Sequence, residues 1–87
     1  MFFVYILKSK ADGGHYIGFT SDLDKRIKEH NSGKTKSLRH RLPLELAYSE
    51  EYENKKDAKA REAQLKSWKG GDAFKNLLSS SPRLRRD

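Results

Sequence analysis

The 87-residue sequence contains no cysteine. Disulfide bonds and thiolate metal sites are therefore excluded, and the chain is compatible with a reducing compartment. Long apolar runs are also missing. No stretch approaches the roughly 20 residues of a membrane-spanning helix, and the N-terminus lacks the basic-then-apolar pattern of a secretory signal. Because a chain of this length supports one modest hydrophobic core, we expect one cytoplasmic domain with no membrane partner.

Acidic residues are scarce relative to basic ones. The sequence has 12 aspartates and glutamates against 19 lysines and arginines, which gives a formal net charge of +7. One basic stretch, residues 34–43, contains no acid, and its cations are Lys34, Lys36, Arg39 and Arg41. A basic surface on a small domain indicates a polyanionic partner, most often nucleic acid. Charge that serves only solubility is the alternative explanation.

The N-terminal third of the chain predicts a β-hairpin. Residues 2–7 are apolar on both faces of a strand, which is typical of a central strand in a sheet. The turn signal Asp-Gly-Gly at residues 12–14 then predicts a returning strand over residues 15–20. Gly18 interrupts this second strand, which indicates either a bulge or a close approach of another group to the backbone.

The remaining elements alternate between helix and strand. Ser21 is suited to cap a helix whose buried stripe contains Leu23, Ile27 and His30. An edge strand is predicted over residues 44–48, followed by an exposed acidic segment to Tyr52. Two helices follow: the first begins at Asn54 or Asp57 and ends at Trp68, and the second begins at Asp72. This order predicts an α+β domain, a three-stranded sheet with its first strand central and helices against it. We assign the domain to residues 1–78 and a basic, disordered tail to residues 79–87.

Glu62 is the acid whose position is most informative. On a helix it shares one face with Ala58, Leu65 and Lys69, and Leu65 turns this face toward the sheet. A carboxylate near the core requires a cation, a set of hydrogen bonds or a metal, because burying it unpaired is costly. An ion pair with Arg26 or a nearby lysine is one explanation, and a metal-binding or catalytic role is the other.

Four other polar side chains each have a structural explanation when taken alone. Tyr5 and Tyr16 lie on the paired strands, where a tyrosine is usually an amphipathic core residue. Arg26 suits either an ion pair or a phosphate contact, because its planar guanidinium fits both. His30 lies on an apolar stripe, where a histidine is more often a satisfied core residue than a base.

Taken in order, these residues resemble the GIY-YIG nuclease domain family. Residues 16–18 read Tyr-Ile-Gly, while residues 3–5 read Phe-Val-Tyr and keep only the tyrosine of the first triplet. Arg26, His30 and Glu62 follow in the family's order, and the resemblance extends over about residues 2–78. It is strongest to small single-domain members, which share a helix ending in His-Asn-x-Gly, a basic loop and a strand ending in Tyr-x-Glu-Glu. The resemblance implies a three-stranded antiparallel sheet with flanking helices.

The resemblance also implies a site and an activity. The family's motif tyrosines fall on Tyr5 and Tyr16, its metal-binding glutamate on Glu62, and a supporting asparagine on Asn76, while Gly18 is the glycine of the second triplet. Arg26 would hold a phosphate oxygen and His30 would orient groups or relay protons. The implied reaction is hydrolysis of phosphodiester bonds with one Mg²⁺ or Mn²⁺ ion. We favour DNA over RNA as the substrate, although the sequence does not decide between them. The sequence has no recognition-helix pattern that would read bases. We therefore expect cleavage that is selective for DNA structure, as in repair or recombination nucleases.

Two alternatives to a nuclease are compatible with the sequence. Residues 3–5 keep only the tyrosine of the family's first triplet, so one alternative is a non-catalytic nucleic-acid-binding module that retains the fold. A small interaction protein that docks on a partner enzyme is the other alternative. In the nuclease and in the binding module, the nucleic-acid backbone would be contacted by Lys34, Lys36, Arg39 and Arg41.

Overall fold

A three-stranded antiparallel sheet organises the chain. We describe it from a computed structural model, which covers residues 1–33 and 36–80. Strand β1 (Phe2–Ser9) lies between β2 (His15–Thr20) and β3 (Leu44–Tyr52) and pairs antiparallel with both. The apolar character of β1 on both faces explains its central position, as predicted. The predicted edge strand continues to Tyr52, so the segment expected to be an exposed acidic extension is part of the sheet.

Three α-helices and one short 3₁₀ helix accompany the sheet. They are α1 (Leu23–Asn31), a 3₁₀ helix (Lys36–Arg41), α2 (Lys55–Trp68) and α3 (Asp72–Ser80). The predicted cap of α1 is wrong by one residue: the Asp22 side chain, not that of Ser21, accepts a hydrogen bond from the Lys25 amide. Asn54 caps α2 by accepting from the Asp57 amide at 2.9 Å, which decides between the two predicted helix starts.

The sheet lies between two apolar cores. The larger core joins one face of the sheet to α2 and α3, and the smaller joins the other face to α1. The larger core contains Val4, Ile6, Ile17, Tyr48, Ala58, Leu65 and Phe74. The smaller core contains Tyr5, Leu7 and Leu44, with Tyr16, Leu23, Ile27, Leu42 and Leu46 packed against it. Alternation of side chains along β1 assigns its residues to these two cores in turn.

Helix α3 ends at Ser80. Residues 81–87, which include most of the predicted basic tail, lie outside the described residues, as does Lys34. No helix within residues 1–33 and 36–80 is long and apolar enough to cross a membrane.

Candidate functional site

Tyr5 packs directly on the backbone of Gly18. The two residues are cross-strand partners in the pairing of β1 with β2. A methyl group added at Gly18 would lie 2.6 Å from the Tyr5 hydroxyl oxygen and 2.8 Å from Cζ, inside van der Waals contact. The register of β1 and β2 runs through this pair without a shift. Close approach, rather than a bulge, therefore explains the glycine inside β2.

Three aromatic side chains from three elements meet at this point. The Tyr5 hydroxyl lies 3.3 Å from Nε2 of His30, and both residues are buried. The Tyr16 and His30 rings meet edge to face, with centroids 5.3 Å apart and an interplanar angle of 73°. The Tyr5 centroid lies 6.3 Å from that of each of the other two rings. Strand β1, strand β2 and helix α1 thus bring together three of the predicted site residues.

Arg26 and Glu62 act electrostatically on the same hydroxyl. Burial is the largest influence, and it raises the pKa of Tyr5 well above its ordinary value. Tyr16 raises this pKa further, the Arg26 guanidinium lowers it, and the Glu62 carboxylate raises it. Tyr5, Tyr16 and His30 are thus in contact, and the charges of Arg26 and Glu62 act on the pKa of Tyr5. We call these five predicted catalytic residues the Tyr5 cluster.

The imidazole in this cluster is held neutral near pH 7. Burial, followed by the positive charge of Arg26, lowers the pKa of His30 below its ordinary value, and Glu29 partly opposes this effect. A neutral imidazole has one ring nitrogen that can accept a proton. The cluster therefore pairs a hydroxyl that is difficult to ionise with a neighbour able to take up its proton.

The ion pairs of the two charged members lie within their own helices. The Glu62 carboxylate lies 3.3 Å from the Lys66 ammonium, one turn along α2, and its side chain is only 18% exposed. Arg26 approaches Glu29 at 3.9 Å on α1. Of the two partners that the sequence predicted for Glu62, the nearby lysine forms the ion pair.

The basic residues between α1 and β3 differ in their surroundings. Lys36 and Arg39 are exposed, although Arg39 Nε also donates to the Gly33 carbonyl oxygen at 2.6 Å. Arg41 is 18% exposed and is engaged with the β1–β2 hairpin. Its Nη2 donates to the carbonyl oxygen of His15 at 3.2 Å, and its Nε lies 3.5 Å from the Asp12 carboxylate. A nucleic-acid contact stays a prediction for these residues, and the surroundings favour Lys36 and Arg39 over Arg41.

Asn76 lies outside the Tyr5 cluster. It is an exposed residue of α3, the helix whose Phe74 packs in the larger core. None of the hydrogen bonds or ion pairs of residues 1–33 and 36–80 joins its side chain to the cluster. Its supporting role stays a prediction that this arrangement does not strengthen.

Sequence reasoning missed the environment of Glu50. The segment from residue 48 to 52 was expected to be exposed, but the Glu50 side chain is only 17% exposed and pairs with Arg61 of α2 at 2.9 Å. Tyr48 and Tyr52 both donate hydrogen bonds to the same carboxylate. Alternation of Tyr48, Glu50 and Tyr52 on one face of a strand was the available signal.

Comparison with known proteins tests the family resemblance. A family model described as the GIY-YIG catalytic domain matches residues 1–75. The chain belongs to the GIY-YIG family. The family and the fold predicted from the residue pattern are thereby confirmed.

Relatives of this GIY-YIG domain include small bacterial proteins named UPF0213. One from Clostridium perfringens is 49% identical over 82 residues, covering 93% of this chain and 87% of the relative. One from Bacillus pumilus is 46% identical over 67 residues, covering 76% of this chain and 67% of the relative. The solution structure of a UPF0213 protein from Bacillus halodurans superimposes with a TM-score of 0.53. It is 39% identical, and the match covers 92% of this chain and 84% of that one.

Proposed function

We propose that this GIY-YIG domain is a metal-dependent endonuclease that hydrolyses phosphodiester bonds in DNA. The family match supports nuclease chemistry. The observation that carries the proposal is the Tyr5 cluster, in which a hydroxyl, an imidazole, a guanidinium and a carboxylate influence one another. Phosphoryl transfer depends mainly on positioning and on stabilising charge, and these four group types supply both.

Proton removal from the attacking water is assigned to Tyr5 and His30 together. Burial raises the pKa of Tyr5 well above its ordinary value, so the hydroxyl stays protonated near pH 7 and almost no tyrosinate is present to act as a base on its own. The hydroxyl is within hydrogen-bond distance of His30 Nε2. In the proposed step, the Tyr5 oxygen accepts a proton from water while its own proton moves to Nε2. The resulting hydroxide attacks phosphorus and the bond from phosphorus to the leaving oxygen breaks. The leaving oxygen keeps that electron pair and takes a proton from solvent water.

Arg26 and Tyr16 bind the reacting phosphate in this proposal. The guanidinium of Arg26 carries a permanent charge and a planar set of donors suited to two phosphate oxygens. The Tyr16 ring lies beside those of Tyr5 and His30, and in this proposal its hydroxyl orients the water or the phosphate. These two residues stabilise the charge that develops on the phosphate oxygens in the transition state.

Glu62 is the residue that would hold the divalent cation. Within the described part of the chain, no group of three or more histidine, cysteine, aspartate or glutamate side chains could enclose a metal ion. We assign the cation to the single carboxylate of Glu62. One carboxylate suits Mg²⁺ or Mn²⁺, since Mg²⁺ usually keeps several waters and binds through one or two carboxylates plus substrate phosphate. When bound, such a cation neutralises charge on the phosphate and on the leaving oxygen. Glu62 supplies the negative charge that retains it.

The exposed cations beside α1 are assigned to the DNA backbone. Lys36 and Arg39 lie on the 3₁₀ helix, and Lys34 precedes them in the same basic stretch. Contacts of this kind bind phosphates without reading bases. We therefore expect selection by DNA structure, such as a branch, nick or end, in the manner of repair or recombination nucleases.

Cleavage assays test this proposal directly. Purified protein would be incubated with plasmid, single-stranded and branched DNA in the presence of Mg²⁺, Mn²⁺ or chelator. We expect metal-dependent cutting by the wild type, none by Glu62→Gln, and wild-type cutting by Glu45→Gln, a control at an exposed carboxylate of β3. Cutting that persists in Glu62→Gln would overturn the assignment of the metal ligand. Salt-sensitive DNA binding without cutting under any condition would favour the non-catalytic binding module.

A further inference from the structure

A second polar cluster lies on the opposite face of the sheet from Tyr5. The Glu50 carboxylate of β3 accepts two hydrogen bonds from the Arg61 guanidinium of α2, from Nε and from Nη2, each at 2.9 Å. Tyr52 donates to the same carboxylate at 2.6 Å, and Tyr48 donates to its other oxygen. The Glu50 and Arg61 side chains are only 17% and 22% exposed. Both carboxylate oxygens are therefore fully occupied by protein donors.

This cluster keeps its charges at neutral pH. Burial on its own would raise the pKa of Glu50, but hydrogen bonds from Arg61, Tyr48 and Tyr52 outweigh it and hold the pKa below the usual range. Burial and the bonds to Glu50 raise the pKa of both Tyr48 and Tyr52 to about 12. The carboxylate is thus ionised and the hydroxyls are protonated, so the four hydrogen bonds persist.

Helix α2 packs on the larger core through Ala58 and Leu65, with the partly buried Trp68 beside them. Ala58 and Leu65 are the buried residues of a 14-residue helix. Among the ion pairs of residues 1–33 and 36–80, the one between Glu50 and Arg61 is the pair that joins α2 to the sheet. Arg61 is braced in turn by Gln64, whose Oε1 accepts from Nη1 at 2.7 Å, and by the Trp68 ring at 5.1 Å.

The next residue along α2 is Glu62 of the Tyr5 cluster. Adjacent helical residues point about 100° apart, so the helix can hold Arg61 toward β3 while Glu62 is directed elsewhere. A rotation of about 20° would move a side-chain group lying about 5 Å from the helix axis by roughly 2 Å. Catalytic groups need placement within about 0.5 Å, so a small rotation of α2 would misplace Glu62. The ion pair of Glu62 with Lys66 would not prevent this rotation, because both residues belong to α2 and move with it.

We propose that the Glu50–Arg61 ion pair is a positioning element that fixes the rotation of α2 and thereby the place of the Glu62 carboxylate relative to Tyr5. Arg61 and Glu50 touch neither substrate nor metal in this scheme, and they act through Glu62. The structural part of the proposal concerns α2 alone. Its catalytic consequence rests on the proposed nuclease function.

Conservative variants separate positioning from simple stabilisation. Arg61→Lys keeps the charge but removes the planar guanidinium that makes two hydrogen bonds to the Glu50 carboxylate. Glu50→Gln keeps the size of the side chain but loses its charge. Glu45→Gln is the matched control, because it removes an exposed β3 carboxylate whose ion pair, at 3.5 Å, is with Lys10 of the β1–β2 hairpin and not with α2. All measurements are made at a temperature at which the amide spectra of β1 and β2 in each variant match those of the wild type. If Glu50→Gln does not fold, Arg61→Lys alone is the test variant.

The first measurement is the orientation of α2 by nuclear magnetic resonance in the metal-free protein. Residual dipolar couplings of residues 55–68 report the orientation of the helix relative to the sheet, and amide exchange reports its local opening. We expect altered couplings and at least tenfold faster exchange in α2 for Arg61→Lys and Glu50→Gln, with no change in Glu45→Gln. Wild-type couplings and exchange in both test variants would overturn the proposal.

The second measurement is the effect on cleavage. We expect kcat to fall at least tenfold in Arg61→Lys and Glu50→Gln, with KM and DNA affinity within twofold of the wild type. In an active wild type, an unchanged kcat would overturn the link from Arg61 to Glu62. Wild-type protein that does not cut DNA would contradict the proposed function instead, and the orientation of α2 would then decide the structural inference by itself.

Discussion

The Tyr5 hydroxyl and Nε2 of His30, 25 positions apart in sequence, lie 3.3 Å from each other in the interior of the domain. Burial makes the hydroxyl hard to ionise and also keeps the imidazole neutral. A tyrosinate in this interior would be costly to form, whereas a neutral imidazole has one nitrogen that can accept a proton. In the proposed mechanism the hydroxyl donates to Nε2, so proton transfer through the pair avoids a free tyrosinate in a buried site.

Removing the Tyr5 hydroxyl tests this relationship. Tyr5→Phe keeps the ring that packs on Gly18, so the fold and the DNA affinity should change little. Turnover should fall by about 100-fold or more, since acid–base groups contribute factors of this size. Steady-state cleavage assays give kcat. Fluorescence anisotropy with a labelled DNA duplex, in buffer without divalent metal, gives the DNA affinity. A variant that cleaves at the wild-type rate would exclude Tyr5 from the proton path.

The pH dependence of cleavage should report His30. The pKa of this imidazole is lowered below its ordinary value of 6.5, so the proton-accepting form predominates at neutral pH. Cleavage should therefore be lost only when the pH falls through the folded-state pKa, below 6.5. His30→Gln should lower the rate and remove this acidic limb from the plot of kcat against pH. An acidic limb centred above 6.5 would contradict the assignment.

The same shift affects stability. The unfolded chain binds a proton on histidine near pH 6.5, whereas folded His30 binds one only at lower pH. The unfolded state therefore binds more protons in this interval, and the free energy of unfolding should decrease as the pH falls below 6.5. His15 acts in the same direction, because burial, followed by the charges of Lys8, Lys69 and Arg41, lowers its pKa. Titration of both imidazoles by nuclear magnetic resonance separates their contributions.

The sequence predicts the sheet and the Tyr5 cluster for different reasons. The central strand is predictable from local physics, because residues 2–7 are apolar on both faces. The helical stripe of α1 likewise placed His30 in the interior. The grouping of Tyr5 with Glu62 came from resemblance to a family, since no local pattern relates a strand residue to a helix many positions later.

The contacts that the sequence did not predict are between distant side chains. Alternation along β3 groups Tyr48 with Glu50, but it does not identify Arg61 as their partner, because that depends on how α2 packs on the sheet. Arg41 is a similar case. Its place in a basic stretch predicts a phosphate contact, whereas its guanidinium lies against Asp12 and the β1–β2 turn. Such pairings depend on tertiary structure, which composition and periodicity do not determine.

Substitution of Gly18 should damage both the fold and the site. In Gly18→Ala the new methyl group would lie 2.6 Å from the Tyr5 hydroxyl oxygen, so the ring must move away from its position beside His30. We expect a loss of about 1–3 kcal/mol in the free energy of unfolding, the usual cost of overpacking, together with a large fall in kcat. Urea denaturation and cleavage assays measure the two effects.

A matched glycine provides the control for that experiment. A methyl group at Gly71 would lie 3.4 Å from the Trp68 carbonyl oxygen, a distance at the edge of ordinary contact. Gly71→Ala should therefore leave kcat unchanged and alter stability by less than Gly18→Ala. Equal behaviour of the two variants would mean that the contact between Gly18 and Tyr5 has no special importance.

The basic residues beside α1 should separate into two classes in DNA binding. Lys36 and Arg39 are exposed, so Lys36→Ala should weaken binding without loss of stability. Arg39→Ala should weaken binding with a stability loss smaller than that of Arg41→Ala, because it removes one exposed hydrogen bond to Gly33. Each variant should reduce the slope of log affinity against log salt by about 0.9 for duplex DNA, the value for one phosphate contact. Arg41→Ala should instead lower the melting temperature, because it removes the contacts to His15 and Asp12. Salt titrations by fluorescence anisotropy and thermal unfolding of the three variants distinguish these effects. A salt slope unchanged in both Lys36→Ala and Arg39→Ala would place the DNA on another surface of the domain.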